Sequence, residues 1–200
     1  MAFNVTYADT LHQHVVMWVD PSIGEVGDNE RMKERFRRVT HPLYTFIDAA
    51  SAVKFIEEQR DAGKTVFLIT SGRLARELVP QVYDFPCVIT IFIYCAKIKD
   101  YIDWATDYIE KVLMFDFDEE LLIRLTNEIA NYLEEEAKKY ENNGNVESAS
   151  GLLDWAAWLY NDASTLEQAA CRAILENIRK RRQKLNIDHQ IAHPNQFNNQ

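Results

Sequence analysis

Along the first 117 residues, short apolar runs alternate with stretches of helical period. His14-Val15-Val16-Met17-Trp18-Val19 is the first run and stops at Asp20-Pro21. Leu43–Ile47 is the second, Val66–Ile69 the third, Val88–Tyr94 the fourth and Val112–Phe115 the fifth. Between them, apolar residues recur every three to four positions: Met32, Phe36 and Val39, then Ala49, Val53 and Ile56. Leu74, Leu78 and Val82 follow, and then Ile98, Tyr101, Ile102, Ala105 and Ile109. The runs are apolar throughout, as in strands covered on both faces. Strands linked by crossover helices require a parallel sheet with right-handed connections. The predicted fold is therefore α/β: a five-stranded, doubly wound, flavodoxin- or receiver-like parallel sheet, followed by a C-terminal helical segment.

From Asp118 only the helical period remains. Leu122, Leu125, Ile129, Leu133, Ala137 and Tyr140 mark a long amphipathic helix that ends at Asn142-Asn143-Gly144-Asn145. Val146–Tyr160 reads as a second helix, apolar almost all round, to be sandwiched between neighbours or to form a docking surface. Ser164 with Glu167 has capping-box spacing, which predicts a third helix carrying Leu166, Ala170, Ala173, Ile174 and Ile178. The expected organisation is an α/β domain over 1–117 and a helical extension over 118–185, whose first helix can complete that domain. The Asn-, Gln- and His-rich stretch 186–200 reads as a disordered tail.

The net charge of −9 is unevenly spread. Residues 1–117 carry −4, residues 118–171 carry −9 and residues 172–200 carry +4. Nonspecific nucleic-acid binding needs clustered cations and is not expected of this chain. Two basic clusters do exist, Arg31 to Arg38 and Arg179 to Lys184, each readable as a solvated helix face or as an anionic contact. No apolar run is long enough to span a bilayer, and Met1 to Leu11 does not form a secretory core. Cys87, Cys95 and Cys171 form no close pair, and His12/His14 and His189/His193 have no Cys nearby. Free thiols, a reducing cytoplasmic setting, no metal and no cofactor are expected.

Open parallel sheets place their chemistry in loops at the carboxyl ends of the strands. Those positions hold Asp20, Asp48, Thr70-Ser71-Gly72-Arg73, Cys95 and Asp116-Phe117-Asp118. Ser71, Gly72 and Arg73 can cradle a phosphate at a helix N-terminus, with Arg73 as its charged partner. The same residues can form a tight turn with Ser71 as helix cap. Asp20 and Asp116 read either as acid/base or ligand residues or as turn and strand-end groups. Cys95 needs a neighbouring base to act as a nucleophile. Gly-x-Gly-x-x-Gly is absent from the sequence, and so is a complete P-loop motif, since Gly63-Lys64-Thr65 has Glu58 where the upstream glycine would stand. In the helical segment, Trp155 and Trp158 are candidate partner anchors or ordinary helix-to-helix core.

In element order, residues 14–140 resemble response-regulator receivers. That resemblance implies acidic residues after strand one, a phosphoacceptor Asp after strand three, Ser/Thr after strand four and Lys after strand five. Asp20 fits the first place. Thr70-Ser71, Cys95 and Asp116 stand at the other three, so phosphoacceptor chemistry is not expected. Trp18-Val19-Asp20, Ile69-Thr70-Ser71-Gly72, Val79-Pro80 and Tyr94-Cys95 are similar to motifs of α/β modules that precede TPR or ADP-ribosyltransferase domains in large eukaryotic proteins. Asp116-Phe117-Asp118 resembles the Asp-x-Asp of haloacid-dehalogenase-like phosphatases, but here that strand comes last instead of first.

Two functions are compatible with these residues. The first is a non-catalytic, receiver-like interaction or regulatory module that contacts a protein partner, or itself, through the helical segment. The second is an enzyme acting on a nucleotide or phosphorylated small molecule, with Asp20, Ser71, Gly72, Arg73 and Asp116 at the strand ends.

Overall fold

The computed structural model describes residues 13–23, 28–40 and 42–168. Its strands are β1 (His14–Val19), β2 (Leu43–Phe46), β3 (Thr65–Ser71), β4 (Val88–Tyr94) and β5 (Val112–Phe115). Its helices are α1 (Asp28–Val39), α2 (Ala49–Asp61), α3 (Gly72–Val82), the four-residue α4 (Ile102–Ala105) and α5 (Asp118–Asn142). A further helix, α6, covers 146–168. All five strands are parallel, in the order β2-β1-β3-β4-β5. This is the flavodoxin-like order, with its switch point between β1 and β3.

Each strand sends alternate side chains to opposite faces. Val15, Met17, Val19, Val66, Leu68, Ile91 and Ile93 enter one apolar cluster with Ala52, Ile56, Leu78 and Val82 of α2 and α3. Val16, Trp18, Phe67, Ile69 and Phe92 enter the other, with Phe36 of α1 and Leu121, Leu125 and Ile129 of α5. Burial on both faces explains why the central strands β1, β3 and β4 are mostly apolar along their length.

The helix ends follow local chemistry. Asp48 accepts hydrogen bonds from Ser51 N at 2.8 Å and Ser51 Oγ at 2.9 Å, capping α2. Those bonds lower the Asp48 pKa. Between α5 and α6, Gly144 adopts φ +74, a left-handed value that favours glycine. The turn there reverses the chain, and Asn145 Oδ1 accepts from Ser148 N at 3.1 Å at the start of α6.

α6 packs back on the α1/α5 face. Leu152, Ala156 and Leu159 join the cluster that contains Trp18 and Phe36. Tyr160 donates its hydroxyl to Asn131 Oδ1 at 2.6 Å, and Arg38 pairs with Asp162 at 2.9 Å. Burial, with the Glu134 carboxylate beside it, pushes the Tyr160 hydroxyl up to about 12.

Two sequence-based expectations need correction. The segment after β4 is not one regular helix but two 3₁₀ turns, Ile98–Asp100 and Thr106–Tyr108, flanking α4. Arg76 donates to the Asp100 carbonyl at 2.9 Å, and Thr106 Oγ1 donates to Asp103 O at 2.7 Å. These bonds tighten the turns. Ser164 does not begin a new helix, because α6 runs through it without a break. There Gln168 donates to Ser164 Oγ at 3.3 Å and Thr165 Oγ1 donates to Asn161 O at 2.9 Å. Ala163 is buried and Leu166 packs on the core, so burial favours continuing the helix. The described part of the extension is thus a two-helix hairpin. The basic cluster 179–184 and the tail 186–200 lie outside the described residues.

Candidate functional site

Strand pairing sets Val19 beside Phe46 and Thr70, Ser71 beside Tyr94, and Tyr94 beside Phe115. Asp48, Asp20, Ser71, Cys95 and Asp116 therefore form one row along the carboxyl edge of the sheet. Neighbouring strands are about 4.8 Å apart, so Asp20 and Ser71 are adjacent while Asp116 stands two strands beyond Ser71.

The Asp20 carboxylate closes its own turn. Its Oδ1 accepts from Ser22 N at 2.8 Å, and its backbone is held by Phe46 O at 2.9 Å and Ile23 N at 3.0 Å. Buried Lys33 reinforces this loop by donating to Ile23 O at 2.7 Å while paired with Glu30. A buried ammonium is tolerated when it is paired and hydrogen-bonded in this way.

Ser71 occupies the N-cap position of α3, but its side chain makes no capping bond. As the last ladder residue of β3 it follows Phe67 and Ile69 onto the α1/α5 face, whereas α3 packs on the opposite face. Its Oγ is buried without a hydrogen-bond partner, and so is the indole Nε1 of Trp18 on the same face. Gly72 has a different task. A Cβ there would sit 2.6 Å from Cys95 Cβ and 2.9 Å from the Tyr101 ring and hydroxyl. Arg76 lies over that ring, 5.4 Å from its centroid. The space a side chain would take at Gly72 is therefore filled by protein. Arg73 points outward and makes no ion pair among the described residues.

Cys95 is buried, and its backbone N–H donates to Phe115 O at 2.9 Å. Burial pushes its thiol pKa up; the Asp116 and Asp100 charges add to the rise, and a hydrogen bond from the Lys97 backbone opposes it. The protonated thiol is a poor nucleophile. Asp116 is exposed, and Phe117 beside it is 61% exposed. Asp118 and Glu119 are held by Arg35 at 2.7 and 3.3 Å, and the acidic first turn of α5 suits the helix dipole. Burial, then the Asp118 and Asp116 charges, raise the Tyr94 hydroxyl pKa. Among the described residues, no three His, Cys, Asp or Glu side chains are placed to hold a metal ion.

The two candidate tryptophans on α6 differ. Trp155 is half-buried beside His14, at a ring-centroid distance of 5.4 Å, and His14 also meets Tyr132 at 5.4 Å and Phe67 at 5.8 Å. Trp155 therefore holds α6 to the amino end of β1. Nearby, Gln13, Glu136, Lys139, Tyr140 and Asn143 line an open cleft of about 240 Å³. Trp158 is 38% exposed, and Leu153, five positions earlier and on a different side of the helix, is 40% exposed. The sequence places Tyr101 in a helical stripe, Lys33 in a basic cluster and Tyr94 in a family motif, and gives none of the three a role at the site. A buried lysine inside a basic stretch, and a tyrosine in an irregular segment, carry no distinguishing spacing.

Fold and site together define a flavodoxin-like α/β protein with a helical hairpin laid against one of its two helical layers. Comparison with known proteins found no matching family model, no matching curated protein and no matching solved structure. No helix among the described residues is long and apolar enough to cross a membrane.

Proposed function

We propose that this protein is a non-catalytic, receiver-like interaction module that works through the outer face of its helical hairpin. The carrying observation is the use made of the strand-end groups. The Asp20 carboxylate closes a turn, the Gly72 turn is filled by Cys95 and Tyr101, and Asp118 is tied to Arg35. Large apolar side chains on α6 meanwhile stay at the surface. The resemblance to modules that precede TPR or ADP-ribosyltransferase domains fits this reading. So does a reducing, cytoplasmic setting for the free thiols Cys87 and Cys95.

A second reading, an enzyme acting on a nucleotide or sugar phosphate, draws on one observation. Among the described residues, Arg73 at the start of α3 makes no ion pair, and the Ser71 hydroxyl two positions before it has no hydrogen-bond partner. A thermal-shift series with nucleotides and sugar phosphates separates the two. The interaction module gives no shift with any of them. A shift that disappears in Arg73→Ala replaces it with the enzyme reading.

A further inference from the structure

The surface of α6 carries a second stripe beside the one that joins the core. Ala149, Leu152, Ala156, Leu159 and Ala163 are buried and hold the helix to its neighbours. Val146, Ser150, Leu153, Ala157, Tyr160 and Ser164 recur at steps of four and three residues along the adjoining side. At the pitch of an α-helix these positions stay within about 80° of one another, over a length of about 27 Å. Large side chains stand at every seventh place, Val146, Leu153 and Tyr160, with small ones between them. Val146 is 74% exposed, and Ser150, Leu153, Ala157 and Ser164 are exposed too. This is the spacing of a coiled-coil seam, in which small positions are the holes for a partner's apolar knobs. Trp158 lies about 120° away around the helix and is not part of the stripe.

One border of the stripe is α5. Tyr160 donates to Asn131 Oδ1 at 2.6 Å across the hairpin. A short turn makes the two helices antiparallel neighbours. Glu134, Lys138 and Glu141 therefore follow Asn131 along this border at three- and four-residue steps. Lys138 is held by Glu135 at 2.6 Å, whereas Glu134 and Glu141 make no ion pair among the described residues. The far border holds Glu147 and Asp154, one seven-residue step apart on α6. Residues 146–168 contain no Lys or Arg.

An exposed apolar seam with acid along both borders selects its occupant by charge. A second copy of the hairpin sets acid against acid, and nucleic acid or an anionic lipid surface is repelled in the same way. A helix with an apolar seam flanked by Lys or Arg satisfies both features at once. Resting on the reading of α6 as the interaction face, we infer that the groove between α5 and α6 binds a cationic amphipathic helix of a partner protein. The partner's apolar seam lies over Ser150, Ala157 and Ser164, and its flanking cations meet Glu134 and Glu141 on one side and Glu147 and Asp154 on the other. The ionic part of the contact weakens as salt rises, and the apolar part persists.

Calorimetric titration of the full chain with a synthetic helix tests this inference. The probe has about three heptads, with Leu at a and d, Lys at e and g and Gln elsewhere. It should bind with a micromolar dissociation constant, more weakly at high salt. A helix with Glu at e and g, and a peptide of the first composition with its apolar period scrambled, should each bind at least about tenfold more weakly. Leu153→Glu, at an exposed position, should weaken binding of the Lys-flanked helix at least about tenfold, and Trp158→Ala should leave it unchanged. Glu134→Lys with Glu141→Lys should reverse the preference between the Lys- and Glu-flanked helices. No binding of the Lys-flanked helix at millimolar concentration overturns the inference. Equal binding of the scrambled peptide also overturns it, as does a loss caused by Trp158→Ala and not by Leu153→Glu. Binding that appears only after Lys180→Glu with Arg181→Glu and Arg182→Glu overturns it in favour of the chain's own basic segment as occupant. The interaction-module reading fails separately, through an Arg73-dependent shift with a nucleotide or sugar phosphate.

Discussion

The carboxyl edge of the sheet and the outer surface of α6 deal with their chemistry in opposite ways. At the sheet edge, polar groups that look available in the sequence are largely taken up by the fold: Asp20 by Ser22 N–H, Asp118 by Arg35, and the Gly72 gap by Cys95 and Tyr101. On α6, apolar groups that a folded chain ordinarily buries are left outside, Trp158 and Leu153 among them, while Leu152, Ala156 and Leu159 hold the opposite side of the helix to the core. A residue type with chemical potential therefore marks a site only when the fold leaves it unused.

Four measurements sharpen or break that contrast. Leu159→Ala removes a fully buried side chain that attaches α6 and should cost about 3 kcal/mol in urea unfolding. A cost near zero means that α6 is not packed on the sheet layer. Gly72→Ala forces a Cβ against Cys95 and Tyr101 and should cost about 2 kcal/mol by the same assay. A neutral result leaves the strand-end turn open to a ligand. Asp20→Ala deletes one turn-closing acceptor and should cost about 1 kcal/mol, and Asp20→Asn should recover part of it.

The smallest effect is alkaline. The folded Tyr160 hydroxyl is pushed up to about 12, above the ordinary value near 10. The unfolded chain therefore loses this proton first. The contribution is whole below the ordinary value and drains away as pH rises from it toward the folded one. Denaturation against pH should show that loss in wild type and not in Tyr160→Phe. Matching curves would mean that the hydroxyl is not held against α5.

All five strands were legible in the sequence: the central β1, β3 and β4 are buried on both faces and read as almost continuous apolar runs, and the partly buried edge strands β2 and β5 keep short apolar runs of their own. Their lateral order came from the helix alternation, since crossovers of one hand leave few arrangements. The segment 98–108 was not legible. Its apolar spacing is helical, but Arg76 claims the Asp100 carbonyl and Tyr101 fills the gap at Gly72, both contacts set by α3, which precedes it by some twenty residues. Ser164 misled for the reverse reason. A capping signal yields when Ala163 and Leu166 on either side are drawn into the core. At the candidate site, residue types and their row along the sheet edge were readable. The direction of the Ser71 hydroxyl was not, because it depends on how far β3 continues before α3 begins.

The length of α5 has a mechanical consequence. At 25 residues it is about 37 Å long, while the seven residues of β3 span about 23 Å, so the helix overhangs the sheet it rests on. One rigid rod thus joins the Arg35–Asp118 contact at its head to the Gly144 turn beyond its foot. A load applied at α6 has a lever arm running under the sheet, and a tilt of that rod displaces both of its ends together.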